Sequence, residues 1–323
     1  MMRRIAAAAI LACFTLPLAA QGPAPSAPVR APSHADVLVA RIDDVGKPMD
    51  LRANLWLPAT RGAATPLLLY IHGKGGSYKV TNDRMAQLAI SLTAKGFAVA
   101  TIDYRLSGRM PAMLMDTKAY VRFFRAHARD YNIDPDRIGI WGVSRGGNLA
   151  AMLAVSGDVK VLEGDIGGNT EQSSKINASV IESPLTDMFV NTDDKAASIF
   201  NDYLGTSDAK SAAIVTAYRK KDMAGPQWKN VERIQHVNPV NYIAKDSPPA
   251  LIICAGGDTG NVIANCTVMF DKYVEKGADA QYYAWAQGAH VRVGPNIEDA
   301  SVAWLMDKLG AKPAPVQQAA ARN

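Results

Sequence analysis

Cysteine is nearly missing from this chain, with three copies in 323 residues, which excludes a small disulfide-stapled scaffold and a cysteine-rich zinc module. Histidine is almost as sparse at five copies. No cluster of Cys, His, Asp or Glu shows metal-ligand spacing, so neither a metal nor an organic cofactor is expected. No apolar run reaches the roughly 20 residues that a membrane-spanning helix needs, and stable membrane insertion is not expected. The apolar stretch Ile5 to Leu16 follows Arg3 and Arg4 and precedes Pro17-Leu18-Ala19-Ala20. That is the pattern of an export signal over residues 1–20, which places the mature protein in the periplasm or outside the cell. A surplus of charge is lacking too. The formal net charge is +5, of which Arg3 and Arg4 supply two, too weak and dispersed for a nucleic-acid surface.

What is present suits one catalytic domain with a large core: 48% of residues are apolar and 20% charged. Residues 21–33, rich in Pro and Ala, read as a flexible lead-in, residues 34–311 as the folded domain, and residues 312–323 as a disordered tail. Eight strands are expected near Asp36–Ile42, Leu51–Leu57, Leu67–Ile71, Phe97–Ile102, Arg137–Val143, Asn177–Glu182, Ala250–Cys254 and Gln281–Ala286. Apolar residues at helical spacing over Asn82–Thr93, Thr117–Arg129, Val262–Val274 and Val302–Leu309 alternate with them, which implies βαβ crossovers and a mostly parallel sheet flanked by helices. The short link Asp43–Pro48 makes the first two strands antiparallel. Some sixty residues, about 186–247, break the rhythm. They read as a small helical cap over the site, or as an excursion packed on the edge of the sheet.

The most informative pattern is Gly142-Val143-Ser144-Arg145-Gly146, between the strand-like run Arg137–Trp141 and the small-residue helix that begins at Asn148. Glycines around a serine at a strand-to-helix turn let the chain bend sharply and lift the hydroxyl clear of the sheet. Three other groups follow apolar strands in the same way: His72-Gly73-Lys74-Gly75-Gly76, Asp258 after Gly256-Gly257, and His290 after Gly288-Ala289. Ligands and catalytic residues collect at the carboxyl ends of strands in open α/β sheets. Ser144 is thus the candidate nucleophile, His290 the base that later returns the proton, and Asp258 the carboxylate that orients the imidazole. Asp187, after the sixth strand, is a rival acid and otherwise a turn or capping residue.

The candidate oxyanion donors are backbone N–H groups of Gly73, Lys74 and Gly75 with that of Arg145. His72 is expected to shape the glycine loop. The Arg145 guanidinium has two readings, contact with an anionic substrate group or the oxyanion, and a turn away into an ion pair on the first helical turn. The second is preferred. Met188, Phe189 and Trp228, in and near the cap, are candidates for lining a substrate pocket or for ordinary packing. Cys254 and Cys266 flank the acid loop and are read as two buried thiols in preference to a disulfide bracing that loop.

These residues resemble the esterase and lipase branch of the α/β-hydrolases, most closely the bacterial acetyl and feruloyl esterases that act on plant polysaccharides. The shared phrases are His72-Gly73-Lys74-Gly75, Asp103-Tyr104-Arg105-Leu106, Tyr131 through Gly139, the serine turn, and Leu162-Glu163-Gly164-Asp165. The resemblance implies an α/β-hydrolase fold with Ser144, Asp258 and His290 as the triad. It implies a serine esterase acting on small acyl or aryl esters, free or carbohydrate-linked. Lys74 and Arg145 depart from the pattern, and the Ser144-Arg145 pair is similar to that of glucuronoyl esterases. A glucuronoyl-type hydrolase, a peptidase of the same fold and a silent hydrolase-fold binding protein are the alternatives. The oligomeric state is not legible.

Overall fold

The computed structural model describes residues 30–59, 62–79, 84–157, 159–190, 199–286, 288–290 and 294–312. The expected export signal, most of the lead-in and nearly all of the tail lie outside them. Among the described residues the frame is one eight-stranded sheet. Its strands are β1 (His34–Asp43), β2 (Pro48–Trp56), β3 (Thr65–Ile71), β4 (Ala98–Ile102), β5 (Ile133–Val143), β6 (Ala178–Glu182), β7 (Ala250–Ala255) and β8 (Ala280–Trp285). The spatial order is β1-β2-β4-β3-β5-β6-β7-β8. β1 and β2 pair antiparallel, as does β2 with β4, and every later pairing is parallel.

The central strands are apolar at nearly every position because helices cover both faces. On one face Leu67, Leu69, Ile71, Ile138 and Ile140 pack with α2 (Ala112–Ala126), α3 (Arg145–Val155) and α7 (Gly260–Lys276). On the other, Leu68, Tyr70, Val99, Trp141 and Ile253 pack with α1 (Arg84–Ser91) and α8 (Pro295–Leu309). Alternate residues along a strand thus feed two separate cores. The long connection from β6 to β7 folds into α4 (Ile199–Leu204), α5 (Asp208–Lys220) and α6 (Trp228–Gln235). Phe200, Ile214, Val215, Val231 and Ile234 from these helices join the first core.

Several boundaries and one bond differ from the sequence expectation. β5 starts at Ile133, four residues before the expected Arg137, because Thr65 pairs with Ile133 ahead of a register shift. α2 starts at Ala112 rather than Thr117, directly after Pro111, which occupies the cap position of the helix. The expectation of two free thiols is overturned: Cys254 and Cys266 form a disulfide with Cα atoms 6.4 Å apart. β7 and α7 pack together here, which brings the two cysteines within bonding reach.

Candidate active site

Ser144 sits between β5 and α3 with φ 55° and ψ −117°, a backbone setting that a serine rarely adopts. The surroundings enforce it. The Ser144 N–H donates to the Glu182 carbonyl at 2.9 Å, and the Ser144 carbonyl accepts from the Asn148 N–H at 3.1 Å, which starts the helix. The neighbouring glycines are required by space. A Cβ on Gly142 would lie 2.1 Å from the Gly146 carbonyl oxygen, and one on Gly146 would lie 2.2 Å from that of Ile71. Only glycines at these two positions let strand, turn and helix approach so closely.

The loops that follow β7 and β8 bring the acid and the histidine to this serine. They are stitched to each other: Gly256 N–H donates to the Trp285 carbonyl at 2.6 Å and Gly257 N–H to that of Gly288 at 2.7 Å. Across this seam His290 Nδ1 lies 3.0 and 2.9 Å from the two Asp258 carboxylate oxygens, and His290 Nε2 lies 2.8 Å from Ser144 Oγ. The carboxylate can only accept, so Nδ1 carries the proton and Nε2 is left to accept from the serine hydroxyl. The Asp258 side chain is 2% exposed, while that of His290 is 45% exposed. Asp258 also accepts from the Thr259 N–H at 2.9 Å. The rival Asp187 is engaged elsewhere. Its Oδ1 accepts from Asn238 Nδ2 at 3.0 Å and from the Phe189 N–H at 3.0 Å, so it acts as a turn residue at the root of the cap.

The glycine loop lies against the serine, since a Cβ on Gly73 would come within 3.4 Å of Ser144 Cβ. His72 shapes it from below. Its ring is buried, with Nδ1 2.8 Å from the Gly73 carbonyl and Nε2 3.0 Å from Asp103 Oδ1, and it stacks on Tyr104 with centroids 4.7 Å apart. The Tyr104 hydroxyl donates to the His72 carbonyl at 3.1 Å. Burial pushes the Tyr104 hydroxyl well above the usual tyrosine range, against the pull of the Arg145 charge. Lys74 keeps a negative φ, and Gly75 takes the left-handed turn at φ +81°.

A cavity of about 470 Å³ opens beside Ser144 and His290. Its other walls are Lys74, Arg145, Asn148, Ser183, Leu185, Asn201, Tyr203 and Val262. Arg145 is half-buried and is one of the residues that line this cavity. The three aromatic and thioether candidates do not line this cavity. Met188 and Phe189 are buried in the core, where Phe189 stacks on Tyr218 with centroids 3.9 Å apart. Trp228 lies along a different cavity between α5 and α6. Sequence reasoning had passed over Asn148, Asn201 and Tyr203. Asn148 carried a signal, being one helical turn beyond Ser144 and so on the same face of α3. Its Nδ2 donates to the Tyr203 hydroxyl, and its Oδ1 accepts from the Leu185 N–H.

A family model described as BD-FAE matches residues 53–271. The chain belongs to the BD-FAE family. The BD-FAE match runs from β2 into α7 and so takes in the glycine loop, Ser144, the cap and Asp258. The chain is also similar to the quorum-quenching protein AidA of Acinetobacter baumannii (strain MDR-ZJ06), 34% identical over 111 residues, 32% of this chain and 35% of AidA. To the "Probable carboxylic ester hydrolase LipM" of Mycobacterium tuberculosis (strain ATCC 25618 / H37Rv) it is 25% identical over 198 residues, 60% of this chain and 41% of LipM. The chain thus spans less than half the length of these two relatives. Among solved structures, a truncated carbohydrate esterase from gut microbiota aligns with a TM-score of 0.65 at 22% identity, covering 87% of this chain and all of that one. This likeness shows that the BD-FAE chain has the α/β-hydrolase fold.

Proposed function

We propose that this protein is a serine carboxylic-ester hydrolase that works through an acyl-enzyme on small acyl or aryl esters, including acetyl or feruloyl groups on carbohydrate. The observation that carries the reading is the continuous hydrogen-bonded line from Asp258 through His290 to Ser144, opening on a cavity of about 470 Å³. Membership of the BD-FAE family supports it, as do the names of LipM and of the gut carbohydrate esterase.

In the first half-reaction Ser144 Oγ attacks the ester carbonyl while His290 Nε2 takes its proton. The negative charge on the carbonyl oxygen is met by N–H groups of the Gly73–Gly75 loop and of Arg145. The carbon–oxygen bond to the alcohol breaks, and His290 returns the proton to that oxygen. Water, deprotonated by His290, then releases the acid and restores Ser144. Asp258 keeps Nδ1 protonated and stabilises the imidazolium formed in each half. The buried disulfide and the amino-terminal Arg3-Arg4 and apolar segment support export as the setting for this activity.

Steady-state hydrolysis of p-nitrophenyl acetate, run beside Ser144→Ala, tests the reading. The expected result is turnover that falls by roughly 10³ or more in the variant. Equal turnover in both proteins would exclude the serine mechanism. The absence of turnover with this and longer p-nitrophenyl esters would favour a binding protein.

A further inference from the structure

The acid of the proposed mechanism stands on a stretch of chain with little of its own to hold it. Gly256, Gly257, Asp258 and Thr259 connect β7 to α7, and the two glycines and Thr259 are exposed. The stretch contains no apolar side chain to anchor it in either core. Both glycines are required where this loop meets the one after β8. A Cβ on Gly256 would lie 2.6 Å from the Ala286 carbonyl oxygen, and one on Gly257 would lie 2.4 Å from that of Gly288. Two residues of the greatest backbone freedom therefore precede the carboxylate whose placement matters most. Besides the seam to the β8 loop, the Asp258 N–H donates to the Ala255 carbonyl at 3.1 Å, and Thr259 Oγ1 accepts from the Val262 N–H at 3.4 Å. An exposed loop held in this way opens locally at low cost.

The disulfide closes this loop at its base. Cys254 is the next-to-last residue of β7, and Cys266 lies near the start of α7, on the face that also buries Met269 and Tyr273. Both cysteines are buried, so the bond joins strand to helix on the core side while the loop stays on the open side. The same part of α7 carries other pieces of the site. Val262 lines the cavity, and Asn265 Oδ1 accepts from the Thr186 and Asp187 N–H groups at 2.6 and 2.7 Å at the root of the cap.

We propose that the Cys254–Cys266 bond is a positioning element of the reaction. It fixes where α7 takes over from the acid loop, and so holds Asp258 at the separation from His290 Nδ1 that keeps the imidazole ready for Ser144. The bond touches no reacting atom and acts through Asp258. A catalytic group displaced by about 1 Å loses on the order of 10²-fold in rate, so a chain with both cysteines reduced is folded but slow. This proposal rests on the ester-hydrolase reading above and adds a covalent part to its machinery.

A double-mutant cycle on p-nitrophenyl acetate tests it. kcat and KM are measured for the oxidised wild type, for Cys254→Ala/Cys266→Ala, for Asp258→Asn and for the variant with all three substitutions, each at a temperature where its melting curve shows it folded. The cysteine variant should lose about ten- to a hundredfold in kcat with KM within about threefold. In the Asp258→Asn background the same two substitutions should change kcat by less than about twofold, because the residue through which the bond acts is already lost. Unchanged kcat in the folded cysteine variant would overturn the proposal. So would an equal loss in both backgrounds, or a change confined to KM, which would put the effect in the Val262 wall.

If the cysteine variant fails to fold, the wild-type chain isolated in its dithiol form gives a second measurement. Oxidised glutathione converts the two thiols to the disulfide and is itself reduced to two glutathione thiols. kcat should rise as the thiols at Cys254 and Cys266 disappear, with the near-ultraviolet circular dichroism unchanged. A constant kcat, or a rise that tracks a change in dichroism, would count against positioning. Amide hydrogen exchange reads the bracing without turnover: loss of the bond should quicken exchange at Gly256–Thr259 ahead of β7 and the body of α7. That pattern in a protein that hydrolyses no p-nitrophenyl ester would sink the hydrolase reading and leave the bracing standing. Turnover with no local change in exchange would do the reverse.

Discussion

Ser144 is held at a positive φ by a carbonyl behind it, a helix in front of it and glycines on either side. A non-glycine residue in a sparsely populated backbone region costs about 1–3 kcal/mol, which the surrounding structure must offset. The same constraint presents Oγ to His290 Nε2 at 2.8 Å. On the far side of the ring the two aspartates considered from sequence have different partners, and substitution separates them. Asp258→Asn would offer an amide to Nδ1 and favour the wrong tautomer, so kcat for p-nitrophenyl acetate is expected to drop by about 10⁴ with the fold intact. Asp187→Asn changes a group bonded to Asn238 and the Phe189 N–H. It should lower the melting temperature while leaving kcat within a few-fold. The reverse pattern would transfer the acid role to Asp187. Ser144, Asp258 and His290 were legible because each follows an apolar strand in a glycine-containing turn. Asn201 and Tyr203 were not, because they reach the cavity only through the packing of the cap.

The eight strands were legible for a related reason. Helices on both faces force β3, β7 and the Ile138–Val143 half of β5 into short runs almost free of polar side chains, whereas β6 carries Ser179 and Glu182. Helix starts were less so, since apolar periodicity begins only where a helix meets the core, whereas the helix itself begins at its cap. α8 shows this, starting at Pro295 although the apolar spacing starts at Val302. The pairing of Cys254 with Cys266 depends on how α7 leans on β7, a contact that composition does not encode. The bond closes a segment with a sequence separation of 12 that contains Asp258. Cross-linking a loop of that size removes freedom from the unfolded chain worth about 3 kcal/mol. The double variant Cys254→Ala/Cys266→Ala should lose about 2–3 kcal/mol in urea unfolding. Denatured, unreduced wild-type protein purified from an oxidising compartment should show no reactive thiol at either position. Two thiols there, or an unchanged midpoint, would contradict this account.

At the scale of the whole molecule, the cap helices belong to the first of the two cores and not to a separate body of their own. That placement could not be read from sequence, where an edge excursion and a roof over the site look alike. Asn148 is one of the polar groups that join the two parts, beside Asn265, which accepts from the Thr186 N–H, and Asn261, which donates to the Val190 carbonyl. Asn148 is buried one turn after the nucleophile, and its amide donates to Tyr203 on α4 and accepts from the Leu185 N–H at the root of the cap. Removing such a group takes the acceptor from the Leu185 N–H and a donor from the Tyr203 hydroxyl, and a buried polar group left unsatisfied costs about 1–3 kcal/mol. Asn148→Ala should therefore destabilise the protein by roughly 2–5 kcal/mol. Tyr203→Phe removes one acceptor and leaves the Leu185 bond in place, so it should cost only about 1 kcal/mol. The distribution of the loss is the sharper test. If Asn148 couples the cap to the sheet, amide hydrogen exchange in Asn148→Ala should quicken first in α4 and around Leu185, with β5 and β6 still protected. Uniform acceleration across the sheet would mean that Asn148 supports the core at large, and that the cap is held over Ser144 by its apolar contacts and its other polar ties, such as Met110 N–H to the Tyr203 carbonyl.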